Sequence, residues 1–229
     1  MIRNVLLDLD DTILDFAAAE RAGVAHALKD FGVEPTDATL KLYSEINLSH
    51  WKRLERKEID RHEVLVGRFR TLFEQLGVTG DIEGVNACYG RYLSYEHPFM
   101  AGGRELLEEL HADYRLYLVS NGNANVQHRR IADSDIARYF CGIFISEEIG
   151  CDKPSLAFFE HCFAQIPDFK REESIMLGDS LSSDILGGKN AGLRTIWFNP
   201  KGKENKSSAA PDFEIRELRE VKDILLSLR

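Results

Sequence analysis

Four short apolar runs in this chain each lead to a polar signal that carries chemistry. Val5-Leu6-Leu7 runs into Asp8-Leu9-Asp10-Asp11-Thr12, and Leu116-Tyr117-Leu118-Val119 into Ser120-Asn121-Gly122. Ile143-Phe144-Ile145 is followed shortly by Lys153-Pro154, and Ile175-Met176-Leu177 runs into Gly178-Asp179-Ser180, with Asp184 a little further on. Unbroken apolar runs of this length, bounded by polar or glycine signals, read as strands buried on both faces of a parallel sheet. In open sheets of that kind the functional groups collect beyond the carboxyl ends of the strands. All four polar signals occupy that position, which brings them to one end of one sheet.

The pattern between the first run and the others is helical. Phe16, Ala19, Gly23, Ala27, Leu28 and Phe31 recur at helical spacing over 16–31, with Gly32 as a stop. Thr36 or Asp37 can open a second helix through Arg56, Asp60 a third to Leu76, and Asp81 a fourth to Tyr95, before His97-Pro98 closes the segment. From Gly103 onward helices and strands alternate, with strands over 115–119, 143–146, 174–177 and 194–198, and the chain ends in a helix near 217–227. The expected class is α/β: a doubly wound, Rossmann-like parallel-sheet core of residues 1–14 and 99–229, interrupted by an all-helical insertion over 15–98.

Composition narrows the function. A net charge of −9 argues against a nucleic-acid polymer as partner, because such binders carry a basic footprint. Small phosphorylated substrates remain compatible, since the local field at a site can oppose the average. Cys88, Cys141, Cys151 and Cys162 form no C-x-x-C pair and read as thiols in a reducing compartment. Asp8, Asp10 and Asp11 interrupt the apolar start too early for a signal peptide, and no stretch is apolar enough to span a bilayer. The expected setting is cytoplasmic, with a small phosphorylated metabolite as partner, no membrane, and no protein partner.

Asp8 and Asp10, two apart beyond a strand, can divide the labour of phosphoryl transfer. One carboxylate can attack phosphorus to form an aspartyl-phosphate, and the other can protonate the leaving alcohol and later activate water. Asp179 adds a third acid. Such a cluster repels itself unless a cation intervenes, and Mg²⁺ suits an all-oxygen site that also meets phosphate. The Ser120 hydroxyl, with the N–H groups of Asn121 and Gly122, can cradle phosphoryl oxygens, and Lys153 supplies a point charge. Asp184 can open the helix on which it falls, or act behind the site by orienting Lys153 or a metal-bound water. Each motif alone also fits a turn or a helix entry; it is their joint placement that points to a site.

These four motifs, in this order and spanning the chain, resemble those of the haloacid dehalogenase superfamily. The resemblance implies Asp8 as nucleophile, Asp10 as general acid and base, and Thr12 as a supporting hydroxyl. It implies Ser120 and Lys153 on the phosphate, and Mg²⁺ held by Asp8, the Asp10 carbonyl and Asp179. It also likens the insertion to the helical C1 cap that contributes to substrate choice. Dehalogenases and phosphonatases of the superfamily lack the second aspartate, so Asp10 favours phosphoester chemistry. Phosphomutases keep it, but typically with Asp-Gly where this chain has Asp10-Asp11.

Asn47, Trp51, Gly67-Arg68-Phe69, the run from Ile145 to Gly150 and the run from Ser183 to Gly188 resemble the bacterial pyrimidine 5′-nucleotidases within that superfamily. This resemblance implies hydrolysis of nucleoside monophosphates, with Trp51 as a stacking and Arg68 as a polar candidate for substrate choice. Phosphatases for phosphoglycolate or a sugar phosphate share the core motifs and form the alternative. An idle binding fold would have no need of Asp8, Asp10, Ser120, Lys153 and Asp179 together.

Overall fold

The computed structural model describes residues 1–228; Arg229, the last residue of the expected core, lies outside the described residues. Strand β1 (Asn4–Leu7) is followed by helices α1 (Phe16–Asp30), α2 (Asp37–Glu55), α3 (Arg61–Leu65), α4 (Gly67–Leu76) and α5 (Ile82–Leu93). Then come α6 (Gly103–Leu110), β2 (Arg115–Ser120), α7 (Ala124–Asp133), β3 (Phe140–Ile145), α8 (Ser146–Ile149) and α9 (Leu156–Gln165). The chain closes with β4 (Ser174–Gly178), α10 (Leu186–Asn190), β5 (Arg194–Phe198), β6 (Phe213–Ile215) and α11 (Glu220–Ser227). It divides into two compact units, Phe16–His97 being one and Met1–Asp15 with the segment from Pro98 onward the other.

In the larger unit the strands form one six-stranded sheet, in the order β3-β2-β1-β4-β5-β6, with every pair parallel. Its apolar runs alternate between faces with a period of two. Val5, Leu7, Leu116, Leu118, Ile175 and Leu177 pack on one side with Leu106, Leu107 and Leu110 of α6 and Val221 and Leu225 of α11. Leu6, Tyr117, Val119 and Met176 pack on the other with Phe158, Phe159, Cys162 and Phe163 of α9. Both faces are therefore covered, which is why these strands read as continuous apolar runs. The sheet is filled outward from β1 in both directions, so the chain reverses its winding between β1 and β4. That switch point leaves a crevice at the carboxyl ends of β1, β2 and β4.

The smaller unit is wholly helical among its described residues. Thr36 accepts from the Thr39 N–H at 3.1 Å, Asp60 from Glu63 at 2.8 Å and Asp81 from Gly84 at 2.9 Å, opening α2, α3 and α5. α1 and α5 approach closely at Gly23, where a Cβ would lie 3.3 Å from the Leu93 backbone nitrogen. The unit's interior gathers Tyr43, Phe69 and Tyr89, whose rings lie 4.9–5.7 Å apart.

Several elements depart from the sequence reading. The helix expected over Asp60–Leu76 is divided at Val66-Gly67, both weak helix formers. The strand expected to end at Ser146 ends at Ile145, and Ser146 opens α8. The helix expected at Asp184 begins as a wider π-type turn over Leu181–Ile185. β6 was not expected, since three residues are too few to establish a period. All four cysteines are free thiols, and no helix among the described residues is long and apolar enough to cross a membrane.

Candidate active site

Asp8 is the first residue beyond β1, and its N–H donates to the Leu177 carbonyl of β4 at 3.0 Å. The chain then turns back on itself. Ile13 and Leu14 both donate to the Leu9 carbonyl, and Asp11 takes up a left-handed φ of 58°, which aspartate tolerates better than most residues. Leu9, Ile13 and Leu14 are buried beneath the turn, so packing holds its polar residues at the carboxyl end of the sheet.

Lys153 is the hub of the site. Its buried ammonium donates to Asp8 Oδ1 at 2.7 Å, to Asp184 Oδ1 at 2.8 Å and to the Val119 carbonyl at 2.7 Å, using all three of its hydrogens. The backbone of Lys153 is gripped by Asn121, whose Nδ2 donates to the Lys153 carbonyl and whose Oδ1 accepts from the Lys153 N–H, both at 2.8 Å. Asn121 therefore uses its side chain to seat the lysine. Thr12 Oγ1 donates to Asp8 Oδ2 at 3.1 Å, so both oxygens of Asp8 are held. Asp184 Oδ2 accepts from the Ser180 N–H at 3.0 Å, and its Oδ1 is the oxygen paired with Lys153. Asp184 thus orients Lys153 and secures its own turn at once. Gly178 is required beneath it, because a Cβ there would fall 2.2 Å from Asp184 Oδ2. The Trp197 indole donates to the Asp179 carbonyl at 2.8 Å and fastens the turn that carries Asp179.

Carboxylate oxygens of Asp8, Asp179 and Asp184 all lie within 4.8 Å of one another. One lysine faces three acids, which leaves the cluster short of positive charge. Burial, with Asp184 and Asp10 nearby, pushes Asp8 up to about 8 against the pull of Lys153. Burial, then Asp8 and Asp184, likewise raises Asp179 well above the ordinary carboxylate range. Burial draws Lys153 down, but Asp184 and Asp8 reverse this and hold its ammonium above the ordinary lysine value. A compact, all-oxygen, under-neutralised pocket fits a hard divalent cation.

Asp10 faces a different set of partners. Arg130 Nη1 donates to its Oδ1 at 2.5 Å and Gln127 Nε2 to its Oδ2 at 2.6 Å. Gln127 Nε2 also donates to Ser120 Oγ at 2.7 Å. The side chain of Asp10 thus lies with α7, and the metal-directed atom expected of it is its carbonyl. Gly122 meets Gln127 closely, a Cβ there falling 2.4 Å from Gln127 Cγ. The turn into α7 is secured from the β3 side by Glu147, which accepts from Asn123 Nδ2 and from the Ala124 N–H at 2.7 Å.

Gln127 and Arg130 were not singled out from the sequence. They lie three apart on α7, hence on one face, directly after Ser120-Asn121-Gly122. That spacing is the available signal, but His128-Arg129-Arg130 reads as a solvated basic run. Arg129 does pair with Asp133 near the surface, whereas Arg130 is completely buried.

Trp51 and Arg68 belong to the helical unit. Trp51 is half-buried, with the Arg61 guanidinium 5.7 Å from its ring centroid. Arg68 is buried, donating to Asn47 Oδ1 at 2.9 Å, to the Leu65 carbonyl at 3.1 Å and to Asn86 Oδ1 at 3.3 Å. Asn47 in turn donates to Glu20 at 2.6 Å, so a buried chain of polar groups runs from Arg68 to Glu20.

A sequence model of haloacid dehalogenase-like hydrolases matches residues 5–198. The pyrimidine 5′-nucleotidase PynA of Streptococcus pneumoniae is 39% identical over 222 residues, covering 96% of this chain and 94% of its own. The pyrimidine 5′-nucleotidase YjjG of Escherichia coli is 27% identical, covering 96% of each. Among solved structures, that of Bacillus subtilis YfnB bound to magnesium superposes with a TM-score of 0.94 at 37% identity, over 98% of both chains.

Proposed function

The chain belongs to the haloacid dehalogenase-like hydrolase family, and on that premise we propose that it is a Mg²⁺-dependent phosphomonoester hydrolase. Its substrates are nucleoside 5′-monophosphates, pyrimidine ones preferred, and it works through an aspartyl-phosphate on Asp8. One observation carries the chemistry. The Asp8 carboxylate is suspended between Lys153 and Thr12 at the end of the central strand, with the carboxylate of Asp10 two residues on.

In the first half-reaction an Asp8 oxygen bonds to phosphorus and the bond from phosphorus to the ester oxygen breaks. Asp10, in its carboxylic acid form, gives its proton to that oxygen, so the alcohol departs neutral. In the second, water attacks the phosphorus of the aspartyl-phosphate while Asp10, now ionised, takes its proton. Inorganic phosphate leaves, and Asp8 and the protonated Asp10 are restored. The Ser120 hydroxyl and the N–H groups of Asn121 and Gly122 receive the phosphoryl oxygens, and Lys153 neutralises charge on Asp8 and phosphate. Asp8, the Asp10 carbonyl and Asp179 would hold Mg²⁺, with Asp184 behind them. When bound, the cation supplies the positive charge that the three acids lack and that an approaching phosphate dianion requires.

The nucleotide preference rests on the 39% identity to a named pyrimidine 5′-nucleotidase across nearly the whole of both chains. The helical unit is assigned the role of a cap, and Trp51 and Arg68 are assigned to substrate choice, Arg68 through the Asn47–Glu20 chain that it orders. The test is a panel of pyrimidine and purine monophosphates, phosphoglycolate and hexose phosphates, each with and without Mg²⁺. The highest kcat/KM is expected for a pyrimidine monophosphate. A preference for phosphoglycolate or a sugar phosphate over every nucleotide would overturn the substrate assignment and leave the core chemistry standing.

A further inference from the structure

A single amide nitrogen joins two groups that the proposed reaction keeps separate. Gln127 Nε2 donates to Asp10 Oδ2 at 2.6 Å and to Ser120 Oγ at 2.7 Å, one hydrogen for each. Gln127 Oε1 accepts from Arg130 Nη1 at 2.9 Å, and the same nitrogen of Arg130 reaches Asp10 Oδ1. Turning the amide over would set its oxygen against a carboxylate and its NH₂ against a guanidinium, so its orientation is fixed by chemistry. Gln127 is 2% exposed and Arg130 is fully buried, which leaves the pair little room to move.

The placement has a geometric consequence. The leaving oxygen that Asp10 must protonate and the oxygens that Ser120 must receive belong to one phosphate. Their separation is set by the phosphate itself, so Asp10 and Ser120 must keep a matching separation. An error of about 1 Å in such an arrangement can cost on the order of 10²-fold in rate. Gln127 is a short, rigid spacer between the two. A carboxylate offers about four acceptor sites, and the clamp uses one on each oxygen of Asp10. The side chain of Asp10 also keeps 28% exposure, so it is held without being sealed off. Ser120, held as an acceptor by Gln127, is left with its own hydroxyl hydrogen to give.

Resting on the reading of Asp10 as leaving-group acid, we propose that Gln127, backed by Arg130, is a positioning residue that fixes Asp10 relative to Ser120. An ion pair that merely fastened the loop to α7 would make no distinction between substrates. Positioning of an acid must matter most where the leaving group needs a proton.

The experiment compares an alkyl phosphate, glycerol 2-phosphate, with an aryl phosphate, p-nitrophenyl phosphate. It uses the full chain with Mg²⁺, as wild type, Gln127→Met, Asp10→Asn and the double variant, each with a thermal melt. Methionine keeps the length and removes both donors; Gln127→Asn, too short to reach, replaces it should the methionine variant not fold. Gln127→Met is expected to lower kcat/KM, which reports the leaving-group step and not hydrolysis of the shared aspartyl-phosphate, about tenfold for the alkyl ester and under about threefold for the aryl ester, a fraction of what a full general acid supplies. On the alkyl ester, in the Asp10→Asn background, it should cost less than about twofold more, because residues acting as one unit are not additive. Equal losses on both esters, or full multiplication in the Asp10→Asn background, would overturn the positioning role. Should Asp10→Asn discriminate between the esters and Gln127→Met not, this proposal alone falls. Should Asp10→Asn itself not discriminate, the acid assignment falls and takes this proposal with it.

Discussion

Lys153 spends its three hydrogens on Asp8, Asp184 and the Val119 carbonyl, and no smaller set of contacts would keep a buried ammonium satisfied. Asp8→Asn leaves the Asp184 pair intact and removes one acid from a crowded cluster. It is therefore expected to abolish turnover while Tm stays level or rises, as an amide cannot form the acyl-phosphate. Kinetics and a melt on one preparation, checked for deamidation by mass spectrometry, decide it; turnover within about tenfold of wild type would remove Asp8 from the role. Arg68→Ala should behave in the opposite way. It leaves the buried Asn47 and the half-buried Asn86 short of a charged donor, at a cost of about 2–3 kcal/mol, read as a lower denaturation midpoint. An unchanged midpoint would mean that this chain of polar groups carries no stability. Residues that follow an apolar run were legible in the sequence, because position beyond a strand and chemical type coincide at Asp8, Ser120 and Asp179. Gln127 and Arg130 were not, because a buried arginine and its exposed neighbour Arg129 look the same in a polar helix.

At the scale of elements, the ends of β1, β2 and β4, with the segment that carries Lys153 beyond β3 and α8, form the site. The turn after β4 winds widely over Leu181–Ile185, and Asp184 reaches back within it to Ser180 and Lys153. Gly178 lies so close beneath Asp184 that Gly178→Ala must displace a carboxylate. Overpacking of this kind costs about 1–3 kcal/mol, and the expected loss of kcat should exceed what that destabilisation explains, because Lys153 moves with Asp184. A variant with wild-type kcat would show that the position of Asp184 is immaterial to turnover. The sheet was readable because Leu6, Tyr117 and Met176 alternate with neighbours that are just as apolar, the mark of strands covered on both sides. The three-residue β6, the four-residue α8 and the division at Val66 were not. Each is set by packing and by local turn geometry over too few residues for a period to emerge.

Over the whole molecule, the deficit of positive charge at the carboxyl end of the sheet links metal, protons and stability. Between the ordinary Asp value of 3.8 and about 8, the folded protein keeps a proton on Asp8 that the unfolded chain has lost. The folded state then binds more protons, so this group's contribution to stability falls as pH rises through that window. A divalent cation supplies the missing charge directly, whereas at low pH it must first displace the proton. Mg²⁺ is accordingly expected to raise Tm more at pH 8 than at pH 5. Equal shifts, or a larger one at pH 5, would separate the metal from this cluster.

If phosphorus passes through Asp8, rapid acid quench of the native enzyme during turnover of a labelled phosphate ester will trap it there. Borohydride reduction of the quenched protein, followed by peptide mass spectrometry, converts an acyl-phosphate to the corresponding alcohol. Label is expected on the protein within the first turnover and homoserine at position 8, with neither in Asp8→Asn. Release of phosphate with no labelled protein at any quench time, or reduction at another residue, would contradict it.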